Sequence, residues 1–177
     1  MLRIAILGAE STGKTSLARA MAQQLRGQGA RVQVIEEVLR EWCNANGRTP
    51  RADEQAAIVQ TQIALVDAAS PCDYLLCDTT PLMTAIYSDL LFSDATLYPV
   101  AVQQQRRYAL NLLAEPDLPW LADGIQRDGL AAQKRVDRRL REVLQTFAIL
   151  SVPVNGVGAQ RLACAMVALG HFQEVAR

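Results

Sequence analysis

Gly8-Ala9-Glu10-Ser11-Thr12-Gly13-Lys14-Thr15, followed by Ser16, fits the spacing G-x-x-x-x-G-K-[ST]. The chemistry of that spacing is phosphate binding. Glycines let consecutive backbone N–H groups curl round phosphate oxygens, and the helix that follows turns its positive end toward them. Lys14 is placed to reach the β- and γ-phosphates of a nucleoside triphosphate, and the Thr15 hydroxyl to ligate Mg²⁺. Lys14 is expected to face solvent in the empty site. The chain holds ten glycines but only two lysines, so a chance match at this spacing is remote.

Two acidic positions extend the constellation. Asp78 closes the apolar run Leu75-Leu76-Cys77. Its carboxylate suits a metal's water shell or a proton from an acceptor hydroxyl, and equally the N-cap of a helix opening at Pro81. Glu36 and Glu37 end a second apolar run on the same rim, and also suit the first turn of a helix. By residue type, either Glu37 or Asp78 can act as the base.

Other chemistries lack their residues. His171 is the only histidine, and Cys43, Cys72, Cys77 and Cys164 form no C-x-x-C pair. Zinc, thiol-redox and His-centred triads are therefore disfavoured, and the cysteines read as reduced, packed thiols. The 177 residues are 50% hydrophobic, with 18 basic and 18 acidic side chains giving a formal net charge of zero. That balance gives no global pull toward nucleic acid or an anionic membrane. No apolar run approaches the roughly 20 residues of a membrane helix, and the expected location is the cytoplasm.

The elements that must hold these residues alternate. Leu2–Leu7, Val32–Ile35, Asp73–Cys77, Tyr108–Leu113 and Phe147–Val154 read as strands. Helices are expected over Lys14–Arg26, Glu36–Asn46, Leu82–Phe92, Val100–Arg107 and Leu130–Thr146, and from about Ala159. A further helix should open at Thr49-Pro50 and run to Ala69. Glu115–Gly129 has the prolines, glycines and acids of a long loop. This alternation predicts one α/β domain over residues 1–177, a doubly wound five-stranded parallel sheet. Ligands on such sheets bind beyond the carboxyl ends of the strands, where the loop and both acids lie.

The loop GAESTGKT resembles that of the ribosylnicotinamide kinase domain of NadR-type proteins and their AAA-like P-loop relatives. Three further segments, in the same order, strengthen the resemblance. Glu37-Val38-Leu39-Arg40-Glu41 is similar to the family's E-Y-A-R-E. Asp78-Thr79-Thr80 with Thr84, Tyr87 and Ser88 is similar to D-T-D-x-x-x-T-x-x-W-S. Pro116 to Gly124, reading PDLPWLADG, is similar to P-D-V-P-W-V-x-D-G.

The resemblance implies a P-loop fold of the nucleoside/nucleotide kinase type, with ATP and Mg²⁺ as cofactors. It implies transfer of the γ-phosphate to the hydroxyl of a small nucleoside such as nicotinamide riboside. Residues 8–16 would hold the phosphates, Thr15 and Asp78 the metal, and Lys14, Asp78 and Arg127 the catalytic roles. Glu37, Arg40, Thr79, Thr84 and Tyr87 would meet the acceptor. Trp120, Asp123 and Arg127 would lie in a lid at about residues 115–130. After the fifth strand, Asn155 to Arg161 opens the last helix, and Gly158 allows close approach to the adenine. The arginines and lysine at 134, 135, 138, 139 and 141 read mainly as a solvated face.

The sequence departs from the family pattern at Val38, Thr80 and Tyr87, and its lid reads D-G-I-Q-R-D. Loss of an aromatic at Val38 and an acid at Thr80 points to an uncharged acceptor in preference to the cationic ring of nicotinamide riboside. The alternative is a regulatory P-loop NTPase or nucleotide sensor with no small-molecule acceptor. The expected partners are a nucleotide and a small acceptor, with no nucleic acid and no membrane.

Overall fold

Ile4, Ala5, Ile6 and Leu7 are all 0% exposed, which requires cover on both faces of the strand they form, β1 (Leu2–Leu7). A computed structural model describes residues 1–120 and 129–175 and supplies that cover. β1 lies at the centre of a five-stranded parallel sheet in the order β2-β3-β1-β4-β5. The other strands are β2 (Val32–Ile35), β3 (Tyr74–Asp78), β4 (Leu110–Ala114) and β5 (Val152–Val154). The expected doubly wound sheet is present.

Seven α-helices accompany these strands among the described residues: α1 (Lys14–Gly27), α2 (Val38–Asn46), α3 (Gln55–Asp67), α4 (Pro81–Phe92), α5 (Tyr98–Gln105) and α6 (Gly129–Thr146) between strands, and α7 (Ala159–Val175) after the last. Alternation along β1 assigns its two faces. Ile4 and Ile6 pack with Leu17, Met21 and Leu25 of α1 and Ala165 and Leu169 of α7. Ala5 and Leu7 belong to the opposite core, with Val59 of α3, Ile86 of α4, Ala101 of α5 and Leu140 of α6. The result is three layers, helices on sheet on helices.

After β3 the chain crosses from one side of β1 to the other, so β1 and β3 flank a topological switch point. Ile6 pairs in register with Asp78 there. The phosphate loop leaves β1 and Asp78 ends β3 at this one place, the crevice that such sheets use for ligands.

Two expected elements are shorter. The fifth strand does not begin at Phe147, because Phe147 and Ala148 (φ 50°) form the turn that ends α6. The Ile149 N–H donates to Leu144 O at 2.8 Å, closing that turn before β5 starts at Val152. The helix expected from Pro50 begins instead as a 3₁₀ turn at Ala52–Glu54, and α3 follows from Gln55 to Asp67.

The four cysteines are free thiols, three of them buried. Burial pushes the Cys77 thiol up to about 11, so it stays protonated and packs as a small hydrophobe. No helix among the described residues is long and apolar enough to cross a membrane. Of the expected lid, residues 121–128 lie outside the described residues, and Asp123 and Arg127 with them.

Candidate active site

The phosphate loop is held by close backbone approach. Gly8 has φ +149°, and a Cβ there would meet Ala114 O and Thr12 Oγ1, each at 2.8 Å, so the loop seats directly on the end of β4. Gly13 caps α1 in the left-handed region at φ +74°, which favours glycine. Thr12 Oγ1 donates to Ala9 O at 2.8 Å. Lys14 corrects an expectation: it is only 6% exposed, and its Nζ donates to the same Ala9 O at 2.8 Å. The ammonium folds back onto a loop carbonyl, which partly replaces the water it would otherwise hold.

Beside the loop, a polar cluster joins α1, β3 and α2. Thr15 Oγ1 donates to Asp78 Oδ2 at 2.5 Å, and Arg40 Nη1 donates to Thr15 Oγ1 at 3.4 Å. Arg40 Nε lies 3.4 Å from Glu37 Oε2. Asp78 is 2% exposed, and its second oxygen, Oδ1, has no hydrogen-bond partner among the described residues. A hard, buried oxygen left over beside a threonine hydroxyl fits a hydrated Mg²⁺. The cap of α4 is Thr80, so Asp78 is not its N-cap. Thr79, between them, has φ +76°, an outlier for a β-branched residue, at the edge of this cluster.

A cavity of about 580 Å³, its open mouth included, adjoins the loop. Glu10, Leu39, Gln55, Tyr87, Arg135 and Val136 line it. The Tyr87 hydroxyl donates to Glu10 Oε2 at 3.3 Å, and Gln133 Nε2 of α6 donates to Glu10 O at 2.8 Å. Glu10 therefore sits on the phosphate loop and on the cavity wall together.

The sequence of residues 3–161 matches the AAA domain family. The chain belongs to that family. Its fold is shared by solved P-loop nucleoside kinases. A NadR protein in complex with NAD and AMP-PNP superposes with a TM-score of 0.77 at 21% identity, over 97% of this chain and 49% of that one. A NadR protein in complex with NR gives 0.76 at 20%, over 97% and 50%. This AAA domain thus spans about half the length of those two chains. Deoxyadenosine kinase from M. mycoides with bound dATP gives 0.69 at 12%, over 96% of this chain and 100% of that one. No curated protein matches the sequence.

The site residues expected from the sequence divide between two places. Lys14, Thr15, Glu37, Arg40 and Asp78 gather at the phosphate loop, while Glu10 and Tyr87 face the cavity. Thr84 is 4% exposed in α4 and Ser16 is exposed on α1. Thr80 departs from expectation. Its hydroxyl donates to Gln105 Oε1 at 2.6 Å, Gln105 Nε2 to Asn111 Oδ1 at 2.7 Å, and Asn111 Nδ2 to Leu150 O at 2.9 Å. Thr80 therefore ties α4 to α5 and β4, and Val38 packs with Leu39, Cys43 and Ile58, so neither side chain lines this cavity. Trp120 is half-buried, with no partner for Nε1 among the described residues. Two of the α6 cations are structural: Arg139 pairs with Asp89 at 2.7 Å, and Arg141 with Glu115 at 2.7 Å.

The largest omission from the sequence reading is Arg161. It is 4% exposed and donates to Gly156 O at 2.8 Å, Thr12 O at 3.1 Å and Glu115 O at 3.1 Å, and to the Asp117 carboxylate. One guanidinium thus joins the phosphate loop, the end of β4 and the loop before α7. Gly158 beside it has φ +55° and open space around its Cα. The signal available in sequence was an arginine within the apolar pattern of the last helix.

Proposed function

We propose that this AAA domain is a kinase that transfers the γ-phosphate of ATP to a hydroxyl of a small, nucleoside-type acceptor. The observation that carries the reading is Asp78: one oxygen fixed by Thr15, the other buried and unpaired, at the switch point beside the phosphate loop. The relatives support it, since NadR protein binds AMP-PNP and NR, and the M. mycoides enzyme is a deoxyadenosine kinase.

In this reading the loop amides from Gly8 to Ser16 hold the β- and γ-phosphates, and Lys14 leaves Ala9 O to pair with them. Thr15 and Asp78 would hold Mg²⁺, which when bound neutralises charge on the phosphates. The acceptor oxygen attacks the γ-phosphorus, the bond from that phosphorus to the β–γ bridging oxygen breaks, and ADP leaves. The hydroxyl proton passes to the Asp78 carboxylate, and the products are ADP and a phosphate monoester. Glu37 already engages Arg40 and holds that guanidinium toward Thr15, so its work is positioning.

ADP release from ATP over a panel of nucleosides, against an acceptor-free control, tests the reading. Turnover that depends on an acceptor and yields its monophosphate is expected. Equal turnover with and without acceptor would identify a nucleotide hydrolase instead.

A further inference from the structure

The Gln55 side chain makes no hydrogen bond among the described residues and has no part in the transfer centre, yet Gln55 is 2% exposed and lines the cavity beside the phosphate loop. Its Oε1 is buried without a hydrogen-bond partner among the described residues. A carboxamide held that way is costly unless a ligand completes it. Gln62, about two turns further along α3, does not line this cavity: its Oε1 accepts from Val38 N at 3.1 Å, and its Nε2 is buried without a partner among the described residues.

The local structure holds Gln55 in place. Arg48 donates to both oxygens of Glu54, at 2.8 and 2.7 Å, and Glu54 Oε2 also accepts from Arg51 N at 2.8 Å. The Arg48 guanidinium lies 4.8 Å above the Trp42 ring. The turn that presents the first residue of α3 is therefore clamped by charge-assisted bonds on one side and an aromatic face on the other.

Around Gln55 the wall is mainly apolar, with Leu39 and Val136, and carries one charge of each sign, Glu10 and Arg135. Glu10 already accepts from Tyr87. With its acid balanced by a base, the wall offers no net negative charge to offset the desolvation of a cationic ring. A carboxamide, in contrast, matches a neutral ring edge bearing a donor next to an acceptor, as adenine and cytosine do.

We propose that this cavity seats the ring of the phosphoryl acceptor, that the ring is uncharged, and that the Gln55 carboxamide reads its donor–acceptor edge. The proposal rests on the kinase reading above and names the acceptor class of that site.

Calorimetric binding to the full chain with saturating Mg-AMP-PNP tests it, using adenosine, cytidine, purine riboside and nicotinamide riboside as probes. Purine riboside lacks the exocyclic amine, and nicotinamide riboside presents a carboxamide edge on a cationic ring. Adenosine or cytidine is expected to bind about tenfold or more tighter than both. Gln55→Leu should abolish that preference while leaving AMP-PNP affinity and melting temperature in place, and Gln55→Met guards against a leucine-specific packing effect. Equal or tighter binding of nicotinamide riboside would overturn the proposal, as would a preference that survives both variants or no binding of any neutral probe. Monophosphate formation is measured separately. Gln55-dependent binding without transfer sinks the kinase reading and supports the ring assignment. Transfer to a neutral nucleoside with unchanged kcat/KM in Gln55→Leu does the reverse.

Discussion

Thr15 Oγ1 and Asp78 Oδ2 lie 2.5 Å apart, joining the first turn of α1 to the last residue of β3. The bond fixes one oxygen of Asp78 beside the phosphate loop and leaves the other without a partner among the described residues. Asp78→Asn keeps an oxygen to accept from Thr15 but removes the charge. It is expected to lower kcat by about 10²-fold or more, with a smaller change in the KM for ATP. Steady-state kinetics together with a thermal melt check this; a fall in melting temperature with unchanged kcat would assign Asp78 to folding alone.

Lys14 is expected to be dispensable for folding although it is buried. The only hydrogen bond described for its side chain is to Ala9 O, and Thr12 Oγ1 also donates to that oxygen. Lys14→Ala should leave the melting temperature within a few degrees and remove acceptor-dependent ADP release. Retained turnover at saturating Mg-ATP would overturn the phosphate-loop assignment.

The apolar strands were legible because parallel strands buried on both faces read as nearly continuous apolar runs, as Leu2–Leu7 does apart from Arg3. Phe147 to Ile149 is equally apolar, but those side chains cover the end of α6 instead of extending β5, and composition does not separate the two uses. The phosphate loop and Asp78 were legible because their chemistry fixes residue type and spacing. Gln55, Gln105 and Arg161 were not. A polar side chain that is buried and one that is solvated look alike in sequence, and only the positions of its partners, up to 149 residues away for Arg161 and Thr12, tell them apart.

The Thr80 bond predicts a change in stability without a change in acceptor binding. Thr80→Val leaves Gln105 Oε1 without its donor in a fully buried chain of side-chain bonds. A loss of about 1–3 kcal/mol in unfolding free energy is expected from denaturant titration. The acceptor KM should stay within about twofold, since position 80 is not part of the cavity wall. A large KM effect with normal stability would place Thr80 back in the acceptor site.

Asp117 serves Arg161 from the loop after β4, and its Oδ2 also accepts from Gly156 N at 2.7 Å. Asp117→Ala leaves the Arg161 charge buried with backbone carbonyls alone. About 3 kcal/mol of stability should be lost, near the low end for a broken buried pair because Asp117 is partly exposed. Arg161→Met, which removes the charge and keeps the bulk, should cost less. Both variants should raise the KM for ATP, since Arg161 ties Thr12 O to the loop before α7. Reversed stabilities for the two variants would show that packing of the arginine stem, not its charge, holds the three segments together.

Glu54 gives the pH dependence of the turn that presents Gln55. The Arg48 guanidinium bonded to it, with the Arg51 N–H second, holds its carboxyl down at about 2. A carboxylate depressed in the folded state contributes stability that is complete above its unfolded value, roughly 4.3. That contribution is lost as pH falls from there through about 2, when the proton displaces Arg48. Acidification across this window is therefore expected to loosen the 3₁₀ turn at Ala52–Glu54 before the sheet responds. Carbon-detected NMR of the Glu54 carboxyl should show a midpoint near 2 in the native chain. Arg48→Ala should return that midpoint toward roughly 4.3 and weaken acceptor binding, because Gln55 is then no longer held at a fixed edge of the cavity. A midpoint that does not move in Arg48→Ala would show that the backbone N–H of Arg51 is sufficient to hold the carboxylate, and that the Arg48 clamp does not set the position of Gln55.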